Sequence, residues 1–192
     1  MKTTQSLSNT HTTSSRIRQL TTVGLMTAVI CLLGPLALNI PISPVPLSLG
    51  TLGIYLATSI LGMRSGTLSV VIYILLGFAG VPVFVNFTAG ASKLFGPTGG
   101  YIIGYIFMAL ICGFFTDRWD GKFIIDFLGM VLGTAVCYLF GTVWLACQMS
   151  LTLPQALATG VLPYIPFDLI KLLLALVLGG QIRKRLKKTG LI

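Results

Sequence analysis

Long apolar runs, separated by short polar or glycine-rich turns, make up most of the chain beyond residue 20. A helix that crosses a bilayer needs about 20 mostly apolar residues. Segments of about this kind occur at residues 20–38, 47–63, 66–82, 100–116, 123–146 and 161–182. The second and third are short and meet at residues 62–66, where glycines permit the backbone to reverse. The pattern predicts an all-α integral membrane protein with six transmembrane helices, the second and third forming a hairpin.

The two ends of the chain are polar. Residues 1–15 contain nine Ser or Thr and no apolar run, a composition typical of disordered segments. Arg16 and Arg18 precede the first apolar run as in a signal peptide, but the run is long and further apolar segments follow, so we expect an uncleaved first helix. We therefore predict a disordered cytoplasmic tail at 1–18, a six-helix membrane domain at 19–185 and a basic cytoplasmic tail at 186–192.

The overall composition agrees with a membrane protein. Of the 192 residues, 55% are hydrophobic and 9% are charged, and the mean hydropathy of +0.94 excludes an ordinary cytosolic enzyme. The net charge of +9 is compatible in principle with nucleic-acid binding. However, the basic residues lie at chain ends and in short loops between apolar runs, so membrane lipid is the expected surrounding and nucleic acid is not an expected partner.

The distribution of Lys and Arg predicts how the helices are oriented. With six spans both termini lie on one side, and that side receives all but two of the 13 basic residues. The exceptions are Lys93, which falls on the opposite side, and Lys171, which falls inside the sixth span. Because positively charged loops stay in the cytoplasm, we expect both termini to be cytoplasmic in a multi-pass protein of the cell membrane.

Motifs for metal binding and for hydrolytic chemistry are absent from the sequence. Its four cysteines are widely spaced without a C-x-x-C pair, and His11, the one histidine, lies in the polar tail. We therefore expect no metal, no cofactor and ordinary thiols. There is no G-x-x-x-x-G-K-[ST] motif for ATP hydrolysis and no membrane histidine that could activate a serine.

The sixth span contains two charges, Asp168 and Lys171, three residues apart and therefore on one face of a helix. Placing ionisable groups in a membrane span costs several kcal/mol unless they pair or face a wet cavity. The pair therefore indicates either a ligand site or a structural ion pair near the outer end of the helix, and the cost favours the ligand site.

A second candidate region is the outward segment at residues 77–101, which is too apolar for a solvent loop. Phe84, Phe87 and Phe95 lie near a single amide, Asn86, a composition found in small-molecule pockets. A loop that caps the helix bundle with its aromatic rings is an equally good interpretation. A third outward stretch, at residues 39–46, contains three prolines and is predicted to be a stiff, non-helical loop.

Four ordered segments give the chain a specific family resemblance: VPLSLGTL at 45–52, GVPVF at 80–84, GPTGGY at 96–101 and PFDLIK at 166–171. Each is weak alone, but in this order within six spans the chain resembles the BioY family, the biotin-specific substrate-binding (S) components of energy-coupling factor (ECF) transporters. The resemblance covers nearly all of residues 20–185.

The resemblance implies a function and a set of site residues. It implies a subunit that binds biotin from outside and passes it inward when docked to a coupling subunit and two ATPases. It assigns polar ligand contacts to Asn86, Asp168 and Lys171. Asp168 would accept from an N–H of the biotin ureido ring, and either Lys171 or the outward-facing Lys93 would meet the carboxylate. The expected apolar walls are Phe84, Phe87, Tyr101 and Tyr164.

The same resemblance points to a docking surface on the first helix. Members of this family use a small-x-x-x-small pattern there to contact the coupling subunit, and Gly24 and Ala28 occupy the matching positions. They depart from the alanine pair found in many S components. Small residues at this spacing allow helices to approach closely. Whether the protein also forms a homo-oligomer is left open by the sequence.

Three other functions remain to be distinguished. An S component for another vitamin, such as thiamine or riboflavin, would have a similar architecture. A membrane enzyme would have to use Asp168 and Lys171 as acid and base without a nucleophile or metal. A channel would place polar residues along several helices, whereas this sequence has one cluster.

Overall fold

The computed structural model describes residues 2–38, 45–119 and 122–190, with side chains from Arg16 onward. Seven α-helices are present in these residues: α1 (Lys2–Leu33), α2 (Gly50–Phe78), α3 (Ala91–Leu94), α4 (Gly99–Arg118), α5 (Phe123–Met149), α6 (Leu153–Gly160) and α7 (Ile165–Lys188). Two short strands, β1 (Ala37–Leu38) and β2 (Leu47–Ser48), pair antiparallel. The fold is therefore mostly helical, as the apolar pattern predicts.

Five of the described helices are long and apolar enough to cross a membrane, namely α1 from Arg16 onward, α2, α4, α5 and α7. The second and third predicted spans, 47–63 and 66–82, correspond to the single element α2 and extend three to four residues beyond its ends; Gly62 has φ 78° and ψ −166° and interrupts the helix. A Cβ built on Gly66 would lie 2.9 Å from the Cα of Thr58, so the chain doubles back at Gly62. The element thus has two arms, 50–61 and 63–78, and a membrane topology of six spans stays a prediction.

The observed ends of the helices differ from the predicted ones at several points. Helix α1 begins at Lys2, inside the predicted tail at 1–18, and that domain boundary stays a prediction. It ends at Leu33 rather than residue 38, because Pro35 disfavours helix at the residue before it and β1 follows. The prediction missed α6, which Thr152 and Gln155 start with a reciprocal capping box. Most of the predicted proline-stiffened loop, residues 39–44, lies outside the described residues.

Helices α4 and α5 pack closely because glycines line their contact. A Cβ on Gly100 would lie 2.2 Å from the Cβ of Trp144, and one on Gly104 would lie 3.0 Å from the Cα of Cys137. On α5, a Cβ on Gly129 would lie 2.6 Å from the Cβ of Phe115. Gly100 and Gly104 are four residues apart on α4, a spacing of small residues that lets helices pack closely within a bundle.

One end of the bundle is basic, and polar contacts tie its helices together. The Asp117 carboxylate of α4 accepts the backbone N–H of Met63 at 2.8 Å and pairs with Arg183 of α7 at 3.0 Å. Arg183 also donates to the carbonyl of Ile60 at 3.2 Å. Near them, Arg18 of α1 donates to the carbonyl of Gly190. We call this the basic end; the β1–β2 pair, α3 and α6 lie at the opposite end.

Candidate functional site

A cavity that is open to solvent lies at the end opposite the basic end, and its empty space, counted out through its open mouth, is about 740 Å³. Its walls come from the first turns of α2, α4 and α7, from the middle of α5, and from the segments that precede them, including β2 and α3. Pockets for small molecules usually measure about 300–1,000 Å³ and combine apolar walls with a few polar groups. The cavity has this kind of lining, with aromatic and aliphatic side chains around a few polar groups such as Asp168, Lys171 and Thr51.

Asp168 and Lys171 both line this cavity and form an ion pair within the first two turns of α7. Lys171 Nζ lies 2.8 Å from Asp168 Oδ1, and the two residues are only 6% and 7% exposed. Lys171 Nζ also donates to the Ser48 carbonyl at 2.6 Å and to Thr51 Oγ1 at 3.3 Å. An ammonium has three hydrogens, so these three acceptors occupy all of them.

The Asp168 carboxylate has further donors on both oxygens. The hydroxyl of Tyr138, from α5, donates to Oδ2 at 2.5 Å, and Thr51 Oγ1 lies 3.4 Å from Oδ1. An ionised carboxylate has roughly four acceptor positions. Oδ2 can accept about two hydrogen bonds and receives one, from Tyr138, so Asp168 can still accept a further hydrogen bond at the cavity wall. Lys171, by contrast, has no hydrogen left to donate.

Three of the four aromatic residues predicted as walls line the cavity. Phe84 is 1% exposed and meets the ring of Tyr73 edge to face, with centroids 5.6 Å apart. The Tyr101 hydroxyl donates to the Gly160 carbonyl at 2.9 Å, and the Tyr164 hydroxyl donates to the Val45 carbonyl. These bonds attach α4 to the end of α6 and α7 to the segment before β2, so the walls are held from several elements.

Asn86 and Phe87 are exposed and do not line the cavity in this arrangement. They belong to a 3-10 turn, Val85–Phe87, in which both residues have left-handed backbone angles, φ 56° and 55°. The Asn86 N–H donates to the Pro35 carbonyl at 3.0 Å. The structure therefore does not bring the predicted polar group Asn86 together with Asp168 and Lys171, and its ligand contact stays a prediction.

The rim of the cavity contains a cation. Lys93 lies on α3, is half-buried and lines the cavity, and burial lowers its pKa below the ordinary lysine value. The hydroxyl oxygen of Thr98, which also lines the cavity, is buried and has no hydrogen-bond partner among the described residues. A cation and an unused hydroxyl at one edge of the cavity can receive an anionic group.

The sequence analysis missed several polar residues that line the cavity. Ser48 and Thr51 lie within the first of the four family segments but were not singled out, and their proximity to Lys171 depends on how α2 meets α7. Tyr138 lies in the middle of an apolar span, where a lone tyrosine gives no signal of its own. Tyr73, Tyr105 and Thr134 also line the cavity. They lie in apolar spans as well, and the sequence analysis missed them for the same reason.

The predicted docking residues lie away from this cavity. Gly24 and Ala28 are exposed on the same face of α1, and a Cβ on Gly24 would have no neighbour within 4 Å among the described residues. This face is therefore accessible for another helix.

The arrangement is suited to reversible binding of a small polar molecule. It offers a carboxylate acceptor at one wall, aromatic and aliphatic surface between, and a cation at the rim. Among the described residues there is no group of three or more His, Cys, Asp or Glu side chains that could hold a metal.

Comparison with known proteins points to one family. A model of the BioY family matches residues 3–188. The "biotin transporter BioY" of Thermotoga maritima is 36% identical over 168 residues, which are 88% of this chain and 97% of that protein. A "biotin transporter BioY" of Lactococcus lactis is 34% identical over 184 residues, 91% of this chain and 95% of its own.

A solved structure agrees with these sequence relatives. The crystal structure of an S component for biotin from an ECF-type ABC transporter matches with a TM-score of 0.84 and 32% identity, and the match covers 89% of this chain and 93% of the other. The structural similarity therefore extends over most of the chain.

Proposed function

This chain belongs to the BioY family, and from that premise we propose that it is the biotin-binding membrane subunit of an uptake system that a separate ATPase and coupling module energises. It is a multi-pass protein of the cell membrane and a transporter component rather than an enzyme. The observation that supports the binding role most directly is the cavity with the buried Asp168–Lys171 pair in its wall.

The chemistry of biotin fits the groups that line the cavity. Its ureido ring offers two N–H donors and one carbonyl, and its valerate chain ends in a carboxylate. We propose that Asp168 Oδ2, which retains acceptor capacity beside Tyr138, accepts a ureido N–H. Phe84, Tyr101 and Tyr164 then enclose the fused rings and the aliphatic chain with apolar surface.

The contacts of Lys171 favour Lys93 as the partner of the biotin carboxylate. All three Lys171 hydrogens have acceptors within the protein, whereas Lys93 Nζ has no hydrogen-bond acceptor in the described part of the chain. Lys93 also lies on the rim, where an entering anion meets it first. In this proposal Lys171 keeps Asp168 ionised and in place, and Lys93 binds the carboxylate.

Asn86 and Phe87 require a movement of the Val85–Phe87 turn to reach the ligand. Non-glycine residues in left-handed backbone conformations cost on the order of 1–3 kcal/mol each, and this turn contains two in succession. We propose that the turn changes conformation when biotin is bound, which turns the Asn86 amide inward to a ureido or carboxylate oxygen.

The membrane arrangement follows from charge. We propose that the two arms of α2 count as separate spans, giving six, and that the basic end faces the cytoplasm. The cavity then opens outward, on the side of Lys93, where biotin arrives. Gly24 and Ala28, exposed on α1, supply the surface for the coupling subunit, and the two ATPases bind through that subunit.

An uptake assay in cells that lack other biotin transport tests this function. The gene is expressed with and without an ECF coupling subunit and its two ATPases, and accumulation of labelled biotin is measured beside thiamine and riboflavin. We expect saturable accumulation of biotin alone, increased by the energising module. Accumulation of another vitamin in place of biotin, at equal membrane expression, would overturn the assignment.

A further inference from the structure

The Asp168 carboxylate is held from two helices. Lys171 and Thr51 approach Oδ1, while Oδ2 accepts a hydrogen bond from the Tyr138 hydroxyl of α5, at 2.5 Å. The torsion that turns an aspartate carboxylate about its Cβ–Cγ bond is broad and is not fixed by sterics alone. A hydrogen-bond donor on each oxygen fixes this torsion. Tyr138 therefore determines the direction in which the acceptor positions of Oδ2 point.

The two other hydroxyls beside this side of Asp168, those of Tyr55 and Thr134, hydrogen-bond each other at 2.5 Å and not Asp168. Tyr138 and Asp168 both lie between the cavity and a second cleft of about 490 Å³, which is lined mainly by apolar side chains of α5 and α7 such as Val131, Ile165 and Leu169. Without the Tyr138 hydroxyl, Oδ2 would lose its donor from α5, and the orientation of the carboxylate would depend on the contacts to Oδ1 alone.

We propose that Tyr138 is a positioning residue for biotin recognition, which orients the Asp168 carboxylate so that Oδ2 accepts the ureido N–H. The proposal rests on the proposed biotin function and deepens it. It assigns the specificity for an N–H donor to a unit of two helices, Tyr138 on α5 and Asp168 on α7, rather than to α7 alone.

The chain provides a matched control for the loss of a tyrosine hydroxyl. Tyr55 of α2 is buried, lines the apolar cleft and hydrogen-bonds Thr134 of α5 at 2.5 Å, but it does not line the cavity or bond Asp168. Tyr55→Phe and Tyr138→Phe therefore each remove one hydroxyl from a helix contact with α5, and only the second removes a donor from Asp168.

Calorimetric titration of the detergent-purified protein separates the two roles. We expect Tyr138→Phe to weaken biotin binding roughly tenfold, the size expected for one hydrogen bond to a charged group, and Tyr55→Phe to bind like the wild type. Equal affinity of Tyr138→Phe and wild type, or an equal loss in both variants, would overturn the proposal. Failure of the wild type itself to bind biotin would instead refute the proposed function.

An infrared measurement gives a second readout that does not depend on ligand. The chain has no glutamate and only four aspartates, so the carboxylate stretching region contains few bands, and Asp168→Asn identifies the one from Asp168. We expect that band to shift in Tyr138→Phe and to stay in place in Tyr55→Phe. An unshifted band in Tyr138→Phe would show that the hydroxyl does not orient the carboxylate.

Discussion

The charged pair in α7 is the residue-scale feature on which the proposed biotin site depends most. Removing one partner of a buried ion pair leaves the other charge uncompensated and is strongly unfavourable. Lys171 distributes its hydrogens among Ser48, Thr51 and Asp168, so the pair also attaches the start of α7 to the start of α2. The same contacts that make the pair tolerable in a membrane therefore shape the ligand site.

Asp168→Asn should weaken biotin binding by about 10- to 100-fold, because it replaces a charged acceptor and leaves Lys171 unpaired. Titration calorimetry measures the affinity, and thermal unfolding in detergent reports whether the variant is folded. Asp126→Asn is the matched control, because Asp126 is buried in α5 but does not line the cavity. The Asp126→Asn protein should bind biotin with the affinity of the wild type. A folded Asp168→Asn protein with unchanged affinity would remove Asp168 from the site.

Lys93 should make biotin binding sensitive to alkaline pH. Its pKa is lowered by burial, so the cation is present below that pKa and is lost as the pH rises through it, sooner than for an exposed lysine. Affinity for the biotin carboxylate should fall over that range. Lys93→Gln should bind biotin about two- to fivefold more weakly at neutral pH, as expected for one partly exposed ion pair, and should lack the alkaline decrease.

Lys184→Gln is the control for this titration, because Lys184 is an exposed cation in the basic C-terminal part of α7. It should retain both the affinity and the pH profile of the wild type. An alkaline decrease that persists unchanged in Lys93→Gln would show that another group binds the carboxylate.

Single residues were predictable from the sequence where their chemistry contrasts with their surroundings. Asp168 and Lys171 stand out because charges are rare in apolar spans, and both line the cavity. Tyr138 gave no such contrast, since its role depends on how α5 faces α7. Asn86 was a reasonable polar candidate, but the backbone of the Val85–Phe87 turn, which sequence spacing does not reveal, directs it away from the cavity here.

At the scale of elements, close contacts at glycines determine how the helices approach one another. Gly100 and Gly104 allow α4 to pack closely against α5. Gly113 allows α4 to pack against the turn in α2, since a Cβ built on Gly113 would lie 2.4 Å from the Cα of Met63. In lipid the hydrophobic effect does not drive helices together, so such close packing supplies much of the association energy. The cavity depends on this packing, because α4 and α5 both contribute walls.

Gly100→Ala should destabilise the protein by about 1–3 kcal/mol, because the added Cβ would lie 2.2 Å from the Cβ of Trp144 and 2.7 Å from the Phe140 carbonyl oxygen. Thermal unfolding in detergent measures the loss. Gly180→Ala is the matched control, since a Cβ there meets nothing within 4 Å among the described residues, and the higher helix propensity of Ala should leave stability equal or slightly raised. Equal melting of the two variants would contradict this account of the α4–α5 contact.

The long helices were predictable, and the shorter elements were not. Apolar length alone located α4, α5 and most of α7, because a bilayer requires it. The reversal at Gly62 followed from the glycines at 62–66, and the arms of α2 lie against each other as the predicted hairpin requires. The β1–β2 pair and α6 are held by local capping and tertiary contacts, which an apolar pattern does not report.

At the scale of the whole molecule, two opposite ends perform different tasks. The basic end ties α2, α4 and α7 together through Asp117 and Arg183, while the other end encloses the cavity. Between them, α1 exposes Gly24 and Ala28 along one side. The proposed binding and docking roles therefore fall on separate surfaces, and we expect a change at one to leave the other intact.

Ala28→Trp should abolish energised biotin uptake and leave biotin affinity unchanged, because the bulky ring blocks close approach of a partner helix to α1 without reaching the cavity. Uptake in cells with the coupling module and calorimetry of the purified variant measure the two properties. Leu32→Trp is a control for a large ring on an exposed residue one turn further along α1, and a milder uptake defect is expected. Normal uptake by Ala28→Trp would refute the docking assignment.

The central claim is that this chain by itself forms a biotin-binding site, and isothermal titration of the purified wild-type protein tests it most directly. Biotin, thiamine and riboflavin are titrated separately into the same detergent-solubilised preparation, whose fold is checked by its cooperative thermal unfolding. We predict saturable binding of biotin, near one molecule per chain, and no heat of binding from the other two vitamins. A folded preparation that does not bind biotin, or that binds thiamine or riboflavin instead, would contradict the account.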